Sequence, residues 1–440
     1  MQTMVVPALP DLRQQFGVST TAVSWVLSAF LLTSAVATGV LGRLGDMFGR
    51  RRLLLASLAI FAVGTLLAAL STSIGTLIAA RAIQGVGSAT FPLAFGIVRD
   101  QFPRERVPVA IGLISSTFGI GFAAGLVVPG LIVDALSWQW IFWVGLAVIL
   151  AALVAVWVFI PESAVRSPGR IDWAGAVLLG GGLVALLLAI SEGRTWGWGS
   201  AGTLGLLGGA VALLVAFVLV ESRLDRPLID VALLRRRAVL TSHAAALIVG
   251  FGMYGAFTMV PALVETPTTA GYGFGASVTE AGLFMVPMAI TMLFASPLAG
   301  RLGARTGFKL PLVLACVVGA AGFVLFAAAH DHEWTIYLGA AVLGVGVGFA
   351  FAALANLVVN AVDARQTGEA TGVNTIMRTV GGTLGAQIAA TIVASHQVTG
   401  LPVPAEVGYT QAFVMSAAAM GVAALAALAG PGHLLGGDRA

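Results

Sequence analysis

Blocks of about twenty apolar residues, set apart by short charged clusters, constrain this chain more than any other feature. At about 1.5 Å of rise per residue, one such block as a helix matches a hydrocarbon layer ~30 Å thick. That layer offers backbone groups no water, so only helices and closed barrels span it, and blocks of this length read as helices. Thirteen are expected, at 22–42, 53–71, 75–98, 108–133, 140–160, 172–191, 201–221, 239–263, 279–300, 309–329, 335–359, 369–395 and 410–430. Composition excludes the soluble alternative: 58% of the 440 residues are hydrophobic and 10% charged, against about 25% charged in a water-soluble domain. The 56 glycines suit membrane helices, which approach closely through small residues. The expected fold class is an all-α integral membrane protein.

The basic residues orient it. Of 23 Lys and Arg, nineteen fall in alternate loops or at the C-terminus, which marks those loops and that end as cytoplasmic. Helix 22–42 then enters from outside. Residues 1–10, too short to span, are expected to be the outer half of a first spanning helix whose inner half is missing, giving fourteen spans with both ends inside. All nine Trp lie near predicted helix ends and read as an interfacial belt.

Several functions are excluded. The net charge of +4 is spread over many loops, so no nucleic-acid partner is expected. The single Cys316 allows neither an intramolecular disulfide nor a cysteine metal cluster. His330-Asp331-His332-Glu333 reads as an external loop rather than a metal site. With no nucleophile elbow, phosphate loop or paired catalytic acids, neither an enzyme nor a cofactor is expected.

The segment Gly42-Arg43-Leu44-Gly45-Asp46-Met47-Phe48-Gly49-Arg50 recurs as Gly300-Arg301-Leu302-Gly303-Ala304-Arg305-Thr306-Gly307-Phe308-Lys309. The repeat predicts two six-helix bundles, at 1–160 and 238–440, joined by 161–237 with two inserted helices. Gly42, Asp46, Gly49 and Arg50 are expected in a tight cytoplasmic turn, Asp46 meeting a helix N-terminus or an Arg and Arg50 pairing across the bundle. Such contacts can latch one side of a rocking molecule.

Arg81 lies within an apolar helix. A mid-helix Arg costs about 2.5–3.5 kcal/mol, so it faces a partner in the bundle or snorkels to the nearby outer end. Gly121, Gly125, Pro129 and Gly130 give helix 108–133 a flat face and a missing hydrogen bond, a hinge or a close packing surface. Asn374 and Arg378, one turn apart, suggest a cavity lining that Asn356, Asn360 and Gln387 can join; hydrogen bonding between helices is the other reading of the amides. Glu265, near the outer face, is either a proton carrier in the mouth of the cavity or a solvated loop acid.

These motifs resemble the major facilitator superfamily, and within it the fourteen-helix drug:proton antiporter branch. The loop Gly42 to Arg52 looks like the superfamily's first cytoplasmic signature. Arg81-x-x-Gln84-Gly85 resembles the fourth-helix motif tied to proton coupling, and Gly121 to Gly130 the fifth-helix antiporter motif. The insert Asp172–Pro227 and the run Asn374–Gly385 are similar to that branch. The resemblance implies a monomeric transporter of the plasma membrane that exchanges protons for amphiphilic or cationic small molecules. Arg81 and Glu265 would then serve coupling, the residues from Gly42 to Arg50 the cytoplasmic gate, and Trp25, Gln84, Asn356, Asn374 and Arg378 the substrate cavity. A carrier of one metabolite, a lipid flippase and a membrane enzyme are the alternatives.

Overall fold

The computed structural model describes residues 4–163, 172–224, 227–398 and 403–429. Arg166, Arg170, Arg226 and Arg439, four of the nineteen orienting cations, lie outside them. All regular structure among the described residues is helical. The helices are α1 (Leu9–Phe16), α2 (Thr20–Phe48), α3 (Arg50–Ala69), α4 (Ile74–Val86), α5 (Thr90–Gln101), α6 (Val107–Ala135), α7 (Gln139–Phe159), α8 (Trp173–Trp196), α9 (Ala201–Glu221), α10 (Val231–Leu234), α11 (Arg237–Glu265), α12 (Val278–Phe284), α13 (Val286–Thr306), α14 (Lys309–Ala328), α15 (Glu333–Ala361), α16 (Thr367–Ser395) and α17 (Glu406–Ala429). Twelve spans among them are long and apolar enough to cross a membrane.

The expected helix 75–98 is interrupted, which is why twelve spans stand where thirteen were expected. It ends at Val86 and restarts at Thr90, leaving two pieces each too short to span alone. Gly87, at the break, lies so close to the backbone of Ser57 and Phe61 that a side chain would collide. The block 279–300 likewise divides at Met285, because Pro287 at the start of α13 has no N–H to continue the ladder. In the other direction, α2 runs on to Phe48, so the stretch from Gly42 is helix and the turn shrinks to Gly49 (φ 110°). Of the stretch 1–10, the described residues 4–10 form a 3-10 turn at Val6–Ala8 leading into α1. Val5, Ala8 and Leu12 there are buried against Val26, Leu77 and Ile141.

Helix starts follow the side chains available. Ser19, Asp172 and Ser200 each accept a first-turn N–H, and Ser73 with Thr76 and Ser277 with Glu280 form reciprocal capping boxes.

The chain divides into two compact units. The first takes 1–101, 128–236 and 362–376; the second takes 102–127, 237–361 and 377–440. In the first, α4, which carries Arg81, packs on α2 and α3, α7 packs on α3, and the inserted α8 packs on α9 and α2. In the second, α13, α14, α15 and α17 enclose a core around Met253, Met292, Phe323, Leu343 and Phe413. Gly346 of α15 meets the backbone of Gly319 on α14, a close approach that only glycine permits. His330 fastens the end of α14 to the start of α17, with Nδ1 2.7 Å from the Phe326 carbonyl and Nε2 2.8 Å from Glu406. Phe159 and Phe294 are 79% and 71% exposed, as lipid-facing side chains are and water-facing phenylalanines seldom are. Eight Trp fit the expected belt, seven of them at least 37% exposed and Trp25 half-buried, but Trp138 does not. It is buried between Phe16 and Phe142 and donates its indole N–H to Gln15.

Candidate functional site

The first unit holds a dense cluster of buried charge where α2 ends. A helix leaves its first N–H groups without partners and its N-terminus partly positive. Asp46 answers both needs of α16: Oδ1 accepts from Gly368 N (3.1 Å) and Oδ2 from Glu369 N (3.0 Å). Its approach depends on Gly42, one turn back, whose missing side chain lets α2 lie against the Gly368 carbonyl. Arg50 then locks Asp46 from the other side of Gly49, donating from Nε and Nη2 at 3.0 and 2.7 Å. The remaining guanidinium donors reach the carbonyls of Gly96 and Ala364 and an ion pair with Asp100. Arg50 and Asp46 are 0% and 1% exposed, so this is a desolvated network rather than a surface pair.

Sequence reasoning did not single out several members of this network. Glu369 meets Arg43 at 3.5 Å and accepts the Asp230 N–H at 2.6 Å. Arg99 donates to Thr367 Oγ1 and the Val362 carbonyl, both at 2.7 Å. Glu162 accepts the N–H groups of Arg51 and Arg52 and so caps α3. The available signal was positional: each is a charged residue at or beside the end of a long apolar helix, where a neighbour's terminus falls.

Arg81 is fully buried on α4 and does not snorkel. Its Nε donates to the Val26 carbonyl (3.1 Å), Nη1 donates to Gln84 Oε1 (2.7 Å), and the guanidinium lies 4.4 Å from the Phe30 ring centroid. Gln84 passes the chain on to Thr65 Oγ1 at 2.7 Å. The tight seat follows from Gly85: a Cβ there would meet Thr33 and the Phe30 carbonyl, so only glycine lets α4 close on α2. Trp25, beside Val26, is half-buried.

In the second unit, Arg378 of α16 stacks 4.2 Å over the ring of Phe351, which in turn meets Phe118 edge-on. Asn356 donates to the carbonyls of Ala352 (2.8 Å) and Pro108 (3.3 Å), the bonding between helices that was the other reading of this amide. Asn374, buried on α16, falls in the first unit although Arg378, one turn later, falls in the second. Glu265 stands exposed in the last turn of α11. Of the four residues read as a hinge on α6, Gly121 faces open space, while Gly125, Pro129 and Gly130 are buried. Close packing on α13 falls instead to Gly112 and Gly119, against Ser296 and Met292.

Comparison with known proteins decides the family. The profile of the Major Facilitator Superfamily matches residues 1–386. The chain belongs to the Major Facilitator Superfamily. Among its relatives in this superfamily, an uncharacterized MFS-type transporter of Mycobacterium tuberculosis is 35% identical over 379 residues, 84% of this chain and 54% of that protein. The tetracenomycin C resistance and export protein of Streptomyces glaucescens is 31% identical over 375 residues, 84% of this chain and 69% of that one. The chain thus spans about half the length of the first relative. The solved structure of the human organic anion transporter MFSD10 (TETRAN) superposes with a TM-score of 0.69 at 17% identity, covering 97% of this chain and 95% of that one. It establishes the superfamily fold.

Proposed function

We propose that this protein is a secondary active transporter of the plasma membrane, of the fourteen-helix branch, that exports amphiphilic or cationic small molecules in exchange for protons. The observation that carries the reading is the full burial of Arg81 in an apolar helix pair. A guanidinium there costs several kcal/mol unless its partners and its role sustain it. The name of one relative, the tetracenomycin C resistance and export protein, supports the substrate class. Asp46 and Arg50 serve as the cytoplasmic gate: their bonds to the start of α16 hold while that side is closed and release when it opens. Arg81, through Gln84 and Thr65, senses the coupling charge. Arg378 and Phe351 offer an aromatic and cationic surface to substrate.

The test uses the protein in proteoliposomes under an inward proton gradient oriented for export from the cytoplasmic face. A fluorescent lipophilic cation and a proton-sensitive dye are followed together. Movement of both, lost in well-folded Arg81→Ala, is the expected result. Cation movement without proton movement removes the antiport reading, and movement of neither removes the substrate class.

A further inference from the structure

The inserted pair α8 and α9 contains acids that the latch and the Arg81 site do not use. Glu221 ends α9 and is 2% exposed. Asp172 caps α8, with Oδ1 accepting the Gly175 N–H at 3.0 Å. Its other oxygen, Oδ2, turns toward Glu221 Oε1, and a Cβ on Gly175 would collide with both oxygens at once. Gly175 is therefore what allows the two carboxyl groups to meet. Oδ2 and Oε1 are both buried, and no donor among the described residues reaches either.

Two facing carboxylate oxygens without a donor cannot both carry charge in a desolvated site; one proton between them relieves the repulsion and supplies the missing hydrogen bond. The other charged groups around the pair do not replace that proton. On the linker after α9, Asp230 is an acid whose own amide goes to Glu369. Arg223 is exposed, and Arg43 is taken by Glu369. Arg170 and Arg226 lie outside the described residues.

We infer that Asp172 and Glu221 form a proton-binding site that holds one shared proton between Oδ2 and Oε1 at neutral pH. The site is wired to the linker. Glu221 Oε2 accepts the Ile229 N–H at 3.2 Å, and the very next amide, that of Asp230, binds Glu369 beside the Asp46 latch. Leu228, Ile229, Val231 and Leu233 are buried around these two bonds. Loss of the proton sets two like charges against each other at the base of α8 and α9 and strains the strap that the two amides fasten.

Infrared difference spectroscopy of the full chain in lipid nanodiscs tests this without substrate or gradient, so its outcome is independent of the export reading. The spectrum of the protein minus that of Glu221→Gln is expected to show the C=O stretch of one protonated carboxyl group at neutral pH, lost only under alkaline conditions. Asp172→Asn removes the neighbouring charge, so the Glu221 band should titrate away at a pH lower by about one unit or more. Only ionised carboxylate bands in the first difference overturn the proposal, as does a titration that Asp172→Asn leaves unmoved. The second variant decides the matter where Glu221→Gln fails to fold.

Discussion

The repeated segment, Gly42–Arg50 in the first unit and Gly300–Lys309 in the second, spans the end of α2 and of α13, yet the two copies have different surroundings. In each, the first glycine lies against backbone at the start of another long helix: Gly42 against Gly368 of α16, and Gly300 against Pro108 of α6. Each helix then ends at a glycine of positive φ, Gly49 at 110° and Gly307 at 84°. The copies part at the fifth position. Asp46 is buried and bonded to two N–H groups, whereas Ala304 is exposed in the last turns of α13, with Arg301 and Arg305 exposed beside it. Backbone geometry is repeated; the charge network is built once. The helix that each phrase meets explains the difference. Helix α16 opens Thr367-Gly368-Glu369 with free N–H donors, while α6 opens Val107-Pro108, and Pro108 has no N–H to offer.

The comparison breaks most visibly at Asp46. Asp46→Ala leaves Arg50 buried without its main partner and two amides of α16 without an acceptor. It should cost about 3–5 kcal/mol, read as a large fall in the midpoint of thermal unfolding in detergent. Asp46→Asn keeps an acceptor but loses the charge and should fall between the two. An Asp46→Ala protein as stable as the parent would show that the network contributes nothing to holding α2 against α16.

The two positive-φ glycines sharpen the contrast at intermediate scale. A non-glycine residue in that sparsely populated extended, positive-φ region costs about 1–3 kcal/mol, which is the whole expectation for Gly307→Ala because nothing stands within 4 Å of the new Cβ. At Gly49 the Cβ also meets the Glu162 carboxylate, 2.7 Å from Oε1. Gly49→Ala should therefore cost about 1 kcal/mol more, the value of a lost helix cap. Glu162→Gln alone should account for part of that excess. Equal unfolding midpoints for Gly49→Ala and Gly307→Ala would remove Glu162 from the description.

Most of the architecture was legible because a bilayer leaves so few solutions: long apolar blocks become helices, and α7, α9 and α17 lie close to their expected bounds. What misled was local. A block's hydropathy cannot reveal that Gly87 or Pro287 interrupts the ladder, since both break helices through backbone geometry and not polarity. That Asp46 would meet an Arg or a helix N-terminus was readable from its place at a helix end. The N–H groups of Gly368 and Glu369 were not, since more than 300 residues separate them from Asp46 and only the packing of α2 on α16 brings them together. For the same reason Glu221 and Asp172, 49 positions apart, carried no signal as a pair. Trp138 shows the reverse error, a residue placed by its position near a helix end that the fold buries instead.

The smallest expected effect tests the reason given for the asymmetry. Ala304→Asp restores to the second copy the acid that the first one has. If the acid were the active ingredient by itself, the variant would gain a latch and rise in stability. The physical argument predicts otherwise. The start of α6 lacks the Pro108 donor, Ala304 is exposed, and a solvated carboxylate near a helix terminus contributes about 0.3–1 kcal/mol at best, screened by salt. Ala304→Asp alone should therefore move the unfolding midpoint by little, within the range of about ±0.5 kcal/mol for a surface change. Ala304→Asp combined with Pro108→Ala supplies the missing N–H and should be more stable than Pro108→Ala alone. A double variant no better than the single would locate the asymmetry in the burial of the site and not in the proline.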